Sequence, residues 1–134
     1  ATIYLTEKTP PPATLDLQEL LKLENIYFDF DKHAIRKDAA IQLAKILEIL
    51  NKYPVIELEI IGHTDSFGPA VYNERLSARR AASTKQWLVE NGISADRIIT
   101  FGYGEKRPIN DCATKKCTKE QHDKNRRTEF LIKQ

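Results

Sequence analysis

The sequence predicts an α/β (α+β) domain built as a two-layer sandwich, in which helices cover one face of a single β-sheet. Short apolar runs with strand-like alternation occur between two longer segments whose apolar residues recur at helical spacing. The resulting order is β-α-β-α-β-β, and elements in this order pack as helices against one sheet. A chain of 134 residues is long enough for one such domain with a real hydrophobic core.

Four segments are predicted to be strands. The first, 26–30, alternates aromatic and β-branched residues. The second, 55–61, alternates apolar and acidic residues, which indicates one solvent-exposed face, and it ends at Gly62. The third, 97–103, is apolar and bordered by glycine, and the fourth, 128–132, closes the domain. Together they are expected to form the sheet.

The first predicted helix covers 36–53 and ends before Pro54. Its apolar residues share one face at helical spacing, namely Ala40, Leu43, Ala44, Leu47 and Leu50. A stripe of this kind is typical of the core and carries no chemistry.

The second predicted helix covers 73–90, with Asn73 as its N-cap and Asn91-Gly92 as its C-cap signal. Small residues predominate on the face expected to point inward, which consists of Ser77, Ala81, Thr84 and Leu88. Because small side chains permit a close approach, we expect this helix to lie near the sheet.

Two segments fall outside these elements. Residues 105–125 are predicted to be a polar loop with one helical turn near 119–124. Residues 1–24, which contain three consecutive prolines, are expected to be an arm on the edge of the domain or a linker. Residues 25–134 then form the folded domain.

Composition excludes several classes of function. The 21 basic and 19 acidic residues leave a formal charge of +2, too balanced to favour nucleic acid as a partner. No apolar run approaches the roughly 20 residues needed to span a bilayer. The chain starts at Ala1 without a methionine, so we expect a mature or excised fragment whose export signal or membrane anchor would lie upstream.

The two cysteines, Cys112 and Cys117, allow two interpretations from the residues alone. In an oxidising compartment they would form a small-loop disulfide, and in the cytosol they would be free thiols or metal ligands. His122 is the nearest further ligand, and a structural zinc site needs four. We therefore predict no metal.

The segment 60–81 carries the charged groups around which the chain is organised. Asp65 follows a strand and Arg80 lies on the following helix, so a strand-loop-helix turn can bring them to one surface. A carboxylate beside a guanidinium suits a ligand with both an ammonium and a carboxylate. The plainer alternatives are a tight turn in which Asp65 caps its own loop, and solvated arginines at Arg79 and Arg80. Placed in the first helical turns, these arginines would oppose the helix dipole, which hints that one of them has a specific partner.

Two other classes of function are alternatives to a ligand-binding domain. A metal-assisted hydrolase could use His63 and Asp65, but the sequence has no nucleophile elbow and no second set of ligands. A protein-interaction or oligomerisation domain is the other alternative. We predict a binding domain that is not an enzyme and needs no cofactor.

Four blocks in register resemble the OmpA-like C-terminal domain, which also occurs in peptidoglycan-associated lipoproteins and flagellar stator proteins. The blocks are Ile60-Ile61-Gly62-His63-Thr64-Asp65-x-x-Gly68, Asn73-x-x-Leu76-Ser77-x-x-Arg80-Ala81, Gly102-Tyr103-Gly104-x-x-x-Pro108 and Asn125-Arg126-Arg127. The first strand and its loop, Phe28-x-Phe30-Asp31-Lys32, match as well. The resemblance covers about residues 25–134.

This resemblance implies a mixed four-stranded sheet in a periplasmic domain that anchors the outer membrane to the cell wall. The implied partner is peptidoglycan, bound non-covalently through the meso-diaminopimelate of its stem peptide. By position, Asp65 resembles the residue that takes the diaminopimelate ammonium, and Arg80 the residue that takes its carboxylate. The other implied ligand contacts are Asp31, Thr64, Asn73, Leu76 and Arg127, with Arg126 as a weaker candidate than Arg127. A periplasmic location favours a Cys112–Cys117 disulfide.

Overall fold

A mixed four-stranded sheet forms one layer of the domain. The computed structural model describes residues 23–133, so the predicted arm at 1–24 lies outside the described residues except for its last two positions. The strands are β1 (Ile26–Tyr27), β2 (Glu57–Gly62), β3 (Ile98–Gly102) and β4 (Arg127–Lys133). They are ordered β1-β4-β2-β3, with β2 parallel to β3 and β4 antiparallel to both β1 and β2. The predicted fold class is confirmed.

Three helices accompany the sheet within residues 23–133: α1 (Lys37–Lys52), α2 (Ala70–Glu90) and α3 (Lys119–Asn125). A short 3₁₀ turn, Ala95–Arg97, leads into β3. The predicted helical turn in the polar loop is a full α-helix, opened by a capping box in which Thr118 and Gln121 bond each other's main chain. Among the described residues, none of the helices combines the length and apolarity needed to cross a bilayer.

The core lies between the two main helices and one face of the sheet. Its sheet side includes Leu58, Ile60 and Phe130. Leu43, Ile46 and Leu50 of α1 and Ala81 and Leu88 of α2 complete the cluster. On the other face of the sheet, Ile99 and Leu131 remain partly exposed. The two-layer arrangement follows from the period-two alternation of the strands.

Helix α2 lies very close to the sheet because glycines face it. Gly62 and Gly102 are paired in register on β2 and β3. A Cβ atom on Gly62 would lie 2.0 Å from the main-chain oxygen of Ser77, and one on Gly102 would lie 2.7 Å from the nitrogen of Ala78. The small inward residues predicted for α2 are buried as expected, and the two strand glycines complete the close approach.

The start of α2 corrects one prediction. The helix begins at Ala70 with Pro69 as its N-cap, and the amide of Asn73 already donates to the Pro69 oxygen at 3.0 Å. Asn73 is therefore not the N-cap, because Pro69, four residues before it, takes the N-cap position and the helix begins earlier. Arg79 and Arg80 consequently lie in the third turn, where the dipole argument does not apply. The C-terminal signal is confirmed, with Asn91 as C-cap and Gly92 at φ +103°.

The loop between β3 and α3 is closed by a disulfide between Cys112 and Cys117, whose Cα atoms are 5.3 Å apart. This pairing decides between the two interpretations that the residues left open. The side chain of Asn125 holds the same loop, because its oxygen accepts from the amides of Ile109 and Asn110. The loop is thereby fastened to the end of α3.

Candidate functional site

A cavity of about 300 Å³ opens between the loop after β1, the loop after β2 and the first turns of α2. Its lining combines carboxylates with aromatic and aliphatic side chains. The residues are Phe30, Asp31, Asp65, Phe67, Gly68, Pro69, Tyr72, Asn73 and Leu76. A concave, largely apolar site with a few polar groups is the usual form of a small-ligand pocket.

Asp65 places a carboxylate at this cavity. Its side chain is only 6% exposed. One oxygen accepts from the amide of Phe67 at 3.2 Å, and the other lies 3.4 Å from Nη1 of Arg126. The first contact is the loop cap expected of an aspartate in a turn. The second is long for a charge-assisted hydrogen bond, so Asp65 retains capacity to accept.

Asn73 fastens this loop to α2 and to the loop after β3. Its side-chain nitrogen donates to the main-chain oxygen of Phe67 and to a carboxylate oxygen of Glu105, each at 2.9 Å. The asparagine thus acts from the first turn of the helix rather than at its cap. It fixes the position of the segment that follows Asp65.

Among residues 23–133, Arg80 is the largest fully buried side chain. Its guanidinium donates to the main-chain oxygens of Lys32 at 2.8 Å, His63 at 3.0 Å and Asp29 at 3.2 Å. It also lies over the ring of Phe28, 5.3 Å from the ring centroid. A guanidinium has five N–H donors, so these three bonds leave one N–H on each terminal nitrogen.

Burial lowers the pKa of Arg80 to about 10, and the carboxylate of Asp65 acts in the opposite direction. The guanidinium therefore remains charged at neutral pH. Arg80 does not itself line the cavity, but it interacts electrostatically with the lining residues Asp65, Asp31 and Tyr72. A buried positive charge thus lies close enough to the cavity to interact with three of its lining residues.

Tyr72 and Asp31 meet across the cavity wall. The Tyr72 hydroxyl donates to the Asp31 carboxylate, and this bond raises the pKa of the Tyr72 phenol. Asp31 has a φ of +58°, a left-handed conformation that aspartate tolerates better than most residues. The contact joins α2 to the loop after β1.

Of the two consecutive arginines where β4 begins, Arg126 is the one that faces Asp65. Arg126 also donates to the main-chain oxygen of Phe28 at 2.9 Å and to the carboxylate of Asp123. Arg127 points the other way, donating to the Arg107 oxygen at 2.8 Å and pairing with Glu129 at 3.1 Å. Successive residues entering a strand point to opposite faces. Arg127, which was expected to close the pocket, does not line the cavity, and it is Arg126 that contacts Asp65.

His63 and Thr64 are both buried and neither lines the cavity. Nε2 of His63 lies 2.9 Å from a Glu129 oxygen, and the Thr64 hydroxyl donates to the main-chain oxygen of Asp65 at 2.8 Å. The hydrogen bond from His63, together with the charge of Arg127, lowers the pKa of Glu129 to about 2. These residues form the polar support beneath the loop.

Within residues 23–133, no cluster of possible metal ligands includes His63 or Asp65. The group of three possible ligands found there is Cys112, Cys117 and His122. The sulfurs of that group are joined in the disulfide.

Comparison with known proteins identifies the family of this domain. The sequence pattern of the OmpA family matches residues 27–125, which is most of the chain. The chain belongs to the OmpA family. The relatives and solved structures that resemble it agree with this assignment.

Two curated OmpA-family relatives illustrate the match. Outer membrane porin F of Pseudomonas fluorescens is 42% identical over 90 residues, covering 67% of this chain and 28% of the porin. The peptidoglycan-associated lipoprotein of Mesorhizobium japonicum is 38% identical over 94 residues, covering 70% of this chain and 56% of the lipoprotein. The chain therefore spans between about a quarter and just over half of the length of these relatives.

Solved structures match the OmpA-family fold. The peptidoglycan-associated lipoprotein of Burkholderia pseudomallei superimposes with a TM-score of 0.77 at 23% identity, covering 88% of this chain and 97% of that one. The C-terminal domain of Helicobacter pylori MotB gives a TM-score of 0.73 at 23% identity, covering 83% and 84%. At these identities the likeness establishes the fold.

The predicted ligand residues of this OmpA-family domain divide into two groups. Asp31, Asp65, Asn73 and Leu76 line the cavity, whereas Thr64, Arg80 and Arg127 do not. The cavity is also lined by three aromatic residues that are not among the predicted ligand contacts, namely Phe30, Phe67 and Tyr72. The sequence could have pointed to Phe67, because an aromatic side chain in a short polar loop between glycines has no core to pack against.

Proposed function

We propose that this OmpA-family domain binds peptidoglycan non-covalently, through the meso-diaminopimelate of the stem peptide, and so anchors the outer membrane to the cell wall from the periplasm. The observation that carries the proposal is the cavity lined by Asp31 and Asp65, two carboxylates that interact electrostatically with the charged and buried Arg80. Opposite charges at one cavity match a ligand whose free end bears an ammonium and a carboxylate on one carbon. The relatives of this chain include peptidoglycan-associated lipoproteins, which supports the same proposal.

In this proposal Asp65 takes the ammonium. Its contact with Arg126 is long, so the carboxylate keeps lone pairs for a second cation. Asp31, at the opposite wall, supplies a second carboxylate within the same cavity. Asn73 and Leu76 complete the pocket around the head group, and Thr64 holds the main chain of Asp65 from behind.

Arg80 takes the ligand carboxylate with its two remaining N–H groups. The guanidinium is fully buried in the free domain, so we propose that the carboxylate reaches it after the Tyr72–Asp31 hydrogen bond opens, because both residues line the cavity and interact electrostatically with Arg80. Side-chain rotation of this kind is common on binding, while the main chain moves little. The three main-chain bonds of Arg80 keep the guanidinium in place throughout.

The expected affinity of one site is modest. Charge-assisted hydrogen bonds contribute about 1.5–3 kcal/mol each, and after ordering costs a few of them give a Kd in roughly the micromolar-to-millimolar range. The wall is a polymer with many stem peptides, so many weak attachments hold firmly by multivalency.

Titration of the labelled domain with a diaminopimelate-containing stem peptide, followed by NMR, tests this function. We expect saturable shifts at the cavity for the wild type and at least a tenfold weaker Kd for Asp65→Asn, which keeps the loop-capping oxygen but removes the charge. Asp96→Asn changes an exposed aspartate in the 3₁₀ turn and serves as the matched control.

A stem peptide with lysine in place of diaminopimelate lacks the terminal carboxylate and should bind at least tenfold more weakly. Absence of binding to either peptide, or equal binding by wild type and Asp65→Asn, would overturn the proposal. Co-sedimentation with purified sacculi provides a second readout, in which the wild type and Asp96→Asn should sediment and Asp65→Asn should remain in solution.

A further inference from the structure

Two aromatic rings that line the cavity are about half exposed to solvent. Phe30 is 58% exposed and Phe67 is 52% exposed, although both line the cavity wall. Their ring centroids are 6.0 Å apart in an edge-to-face arrangement. Large apolar side chains clustered on a protein surface commonly mark a binding site.

The fold does not need the ring of Phe67 to shape its loop. The amide of Phe67 donates to Asp65, and its main-chain oxygen accepts from Asn73, so the loop is held by main-chain atoms that any residue supplies. The ring itself lies between two other rings, with His122 of α3 at 4.7 Å and Phe30 on the loop after β1. Loop structure and ring position are therefore separable.

We infer that the rings of Phe30 and Phe67, in edge-to-face contact, form one apolar side of the cavity, called the aromatic slot, against which the methylene chain behind the ligand's head group packs, so that the site selects a linear aliphatic chain carrying a terminal amino-acid group. This inference rests on the proposed function and extends it from the charged head group to the chain. Tyr72 and Leu76 add further apolar surface to the cavity lining. The charged groups lie deeper, at Asp65 and at Arg80 behind it, so a bound ligand would present its head inward and its chain to the rings.

A series of free D-amino acids with unbranched side chains of increasing length isolates this contribution. D-Alanine, D-norvaline and D-norleucine carry the same ammonium and carboxylate but differ in the number of methylenes. Burial of a methylene is worth about 0.8 kcal/mol, which corresponds to up to about a fourfold gain in affinity per added methylene. NMR titration of the labelled domain measures Kd values in the millimolar range that such small ligands are expected to show.

For the wild type we expect Kd to decrease with each added methylene. In Phe67→Ala this dependence should largely disappear, while the Kd for D-alanine should change less than twofold. Phe30→Ala should reduce the dependence in the same direction, and Phe67→Leu, which keeps an apolar side chain, should retain part of it. Phe101→Ala is the matched control, because Phe101 is a similarly exposed phenylalanine on β3 that does not line the cavity.

The outcomes separate this inference from the proposed function. If the wild type binds the series but Phe67→Ala shows the same dependence on chain length, the aromatic slot is wrong and the head-group site stands. If affinity does not rise with chain length in the wild type, the slot is likewise wrong. If the wild type binds neither the series nor the diaminopimelate peptide, the proposed function fails with it.

Discussion

Nη1 of Arg80 donates to the main-chain oxygen of His63, 3.0 Å away and two residues before Asp65. The loop after β2 carries the cavity carboxylate of Asp65. This bond attaches the start of that loop to the middle of α2. The same guanidinium holds the loop after β1 through the oxygens of Asp29 and Lys32. Arg80 therefore organises both loops that form the cavity, and a loss of ligand binding on its removal would not by itself prove a direct contact.

The first prediction concerns the stability contributed by Arg80. Arg80→Met keeps the apolar part of the side chain but leaves three main-chain oxygens without their donor, so we expect a loss of about 2–4 kcal/mol in the free energy of unfolding. Urea unfolding followed by circular dichroism measures this loss. Arg79→Met removes an exposed arginine one position earlier and should change stability by less than about 0.5 kcal/mol. Equal effects of the two substitutions would contradict the structural role of Arg80.

The second prediction tests the close contact between α2 and β2. In Gly62→Ala the new methyl carbon would lie 2.0 Å from the main-chain oxygen of Ser77, so the helix must move. We expect a loss of about 3 kcal/mol or more in unfolding free energy. Gly68→Ala provides a contrast, because a Cβ there meets no atom within 4 Å but the residue has a φ of +87°. Its cost should be about 1 kcal/mol, from backbone strain alone.

The third prediction is a pH dependence centred on Glu129. Its pKa in the folded domain is about 2, compared with an ordinary value of 4.5, because of the hydrogen bond with His63 and the charge of Arg127. A lowered pKa stabilises the fold above pH 4.5, and the contribution disappears as pH falls through about 2.

Glu129→Gln lacks this contribution. The difference in unfolding free energy between wild type and Glu129→Gln should therefore shrink by about 1 kcal/mol across that range, a magnitude reduced because the carboxylate is partly exposed. Chemical unfolding at a series of pH values measures the difference. Glu57→Gln, an exposed glutamate at the start of β2, corrects for the general effect of removing a surface charge. A difference that stays constant or grows on acidification would refute the assigned cause.

The fourth prediction concerns the disulfide. The bridge joins residues five positions apart, and closing so short a loop is expected to contribute about 2 kcal/mol. The double variant Cys112→Ser with Cys117→Ser should lose about this amount, and reduction of the wild type should give the same loss. Because the loop is also held by Asn125, the domain should remain folded. Complete unfolding of the reduced protein would show that the bridge does more than restrict the unfolded chain.

The strand and helix pattern of this domain was determined by local sequence. Period-two alternation in 55–61 and helical spacing in 36–53 specify which face of each element is apolar, and a single sheet with helices on one side is how such faces become buried together. The sequence also identified the cavity carboxylate of Asp65, which follows a glycine at the end of a strand, and the arginine Arg80 on the next helix, which the structure buries outside the cavity lining. The start of α2 was misjudged because asparagine and proline both signal helix beginnings, and Pro69 opened the helix first.

Only the tertiary structure decided which groups meet and which are covered. The choice between Arg126 and Arg127 depended on which of two consecutive side chains faces Asp65 where β4 begins, and the pairing of Arg127 with Tyr27 of β1 fixes that orientation. Arg80 proved to be buried because three carbonyls from two separate loops converge on it, an arrangement spread over about fifty positions of chain. The aromatic slot formed by Phe30 and Phe67 likewise depends on tertiary packing, because the two residues lie on loops distant in sequence. Spacing along a chain predicts the periodic elements, whereas contacts between their ends depend on how those elements pack.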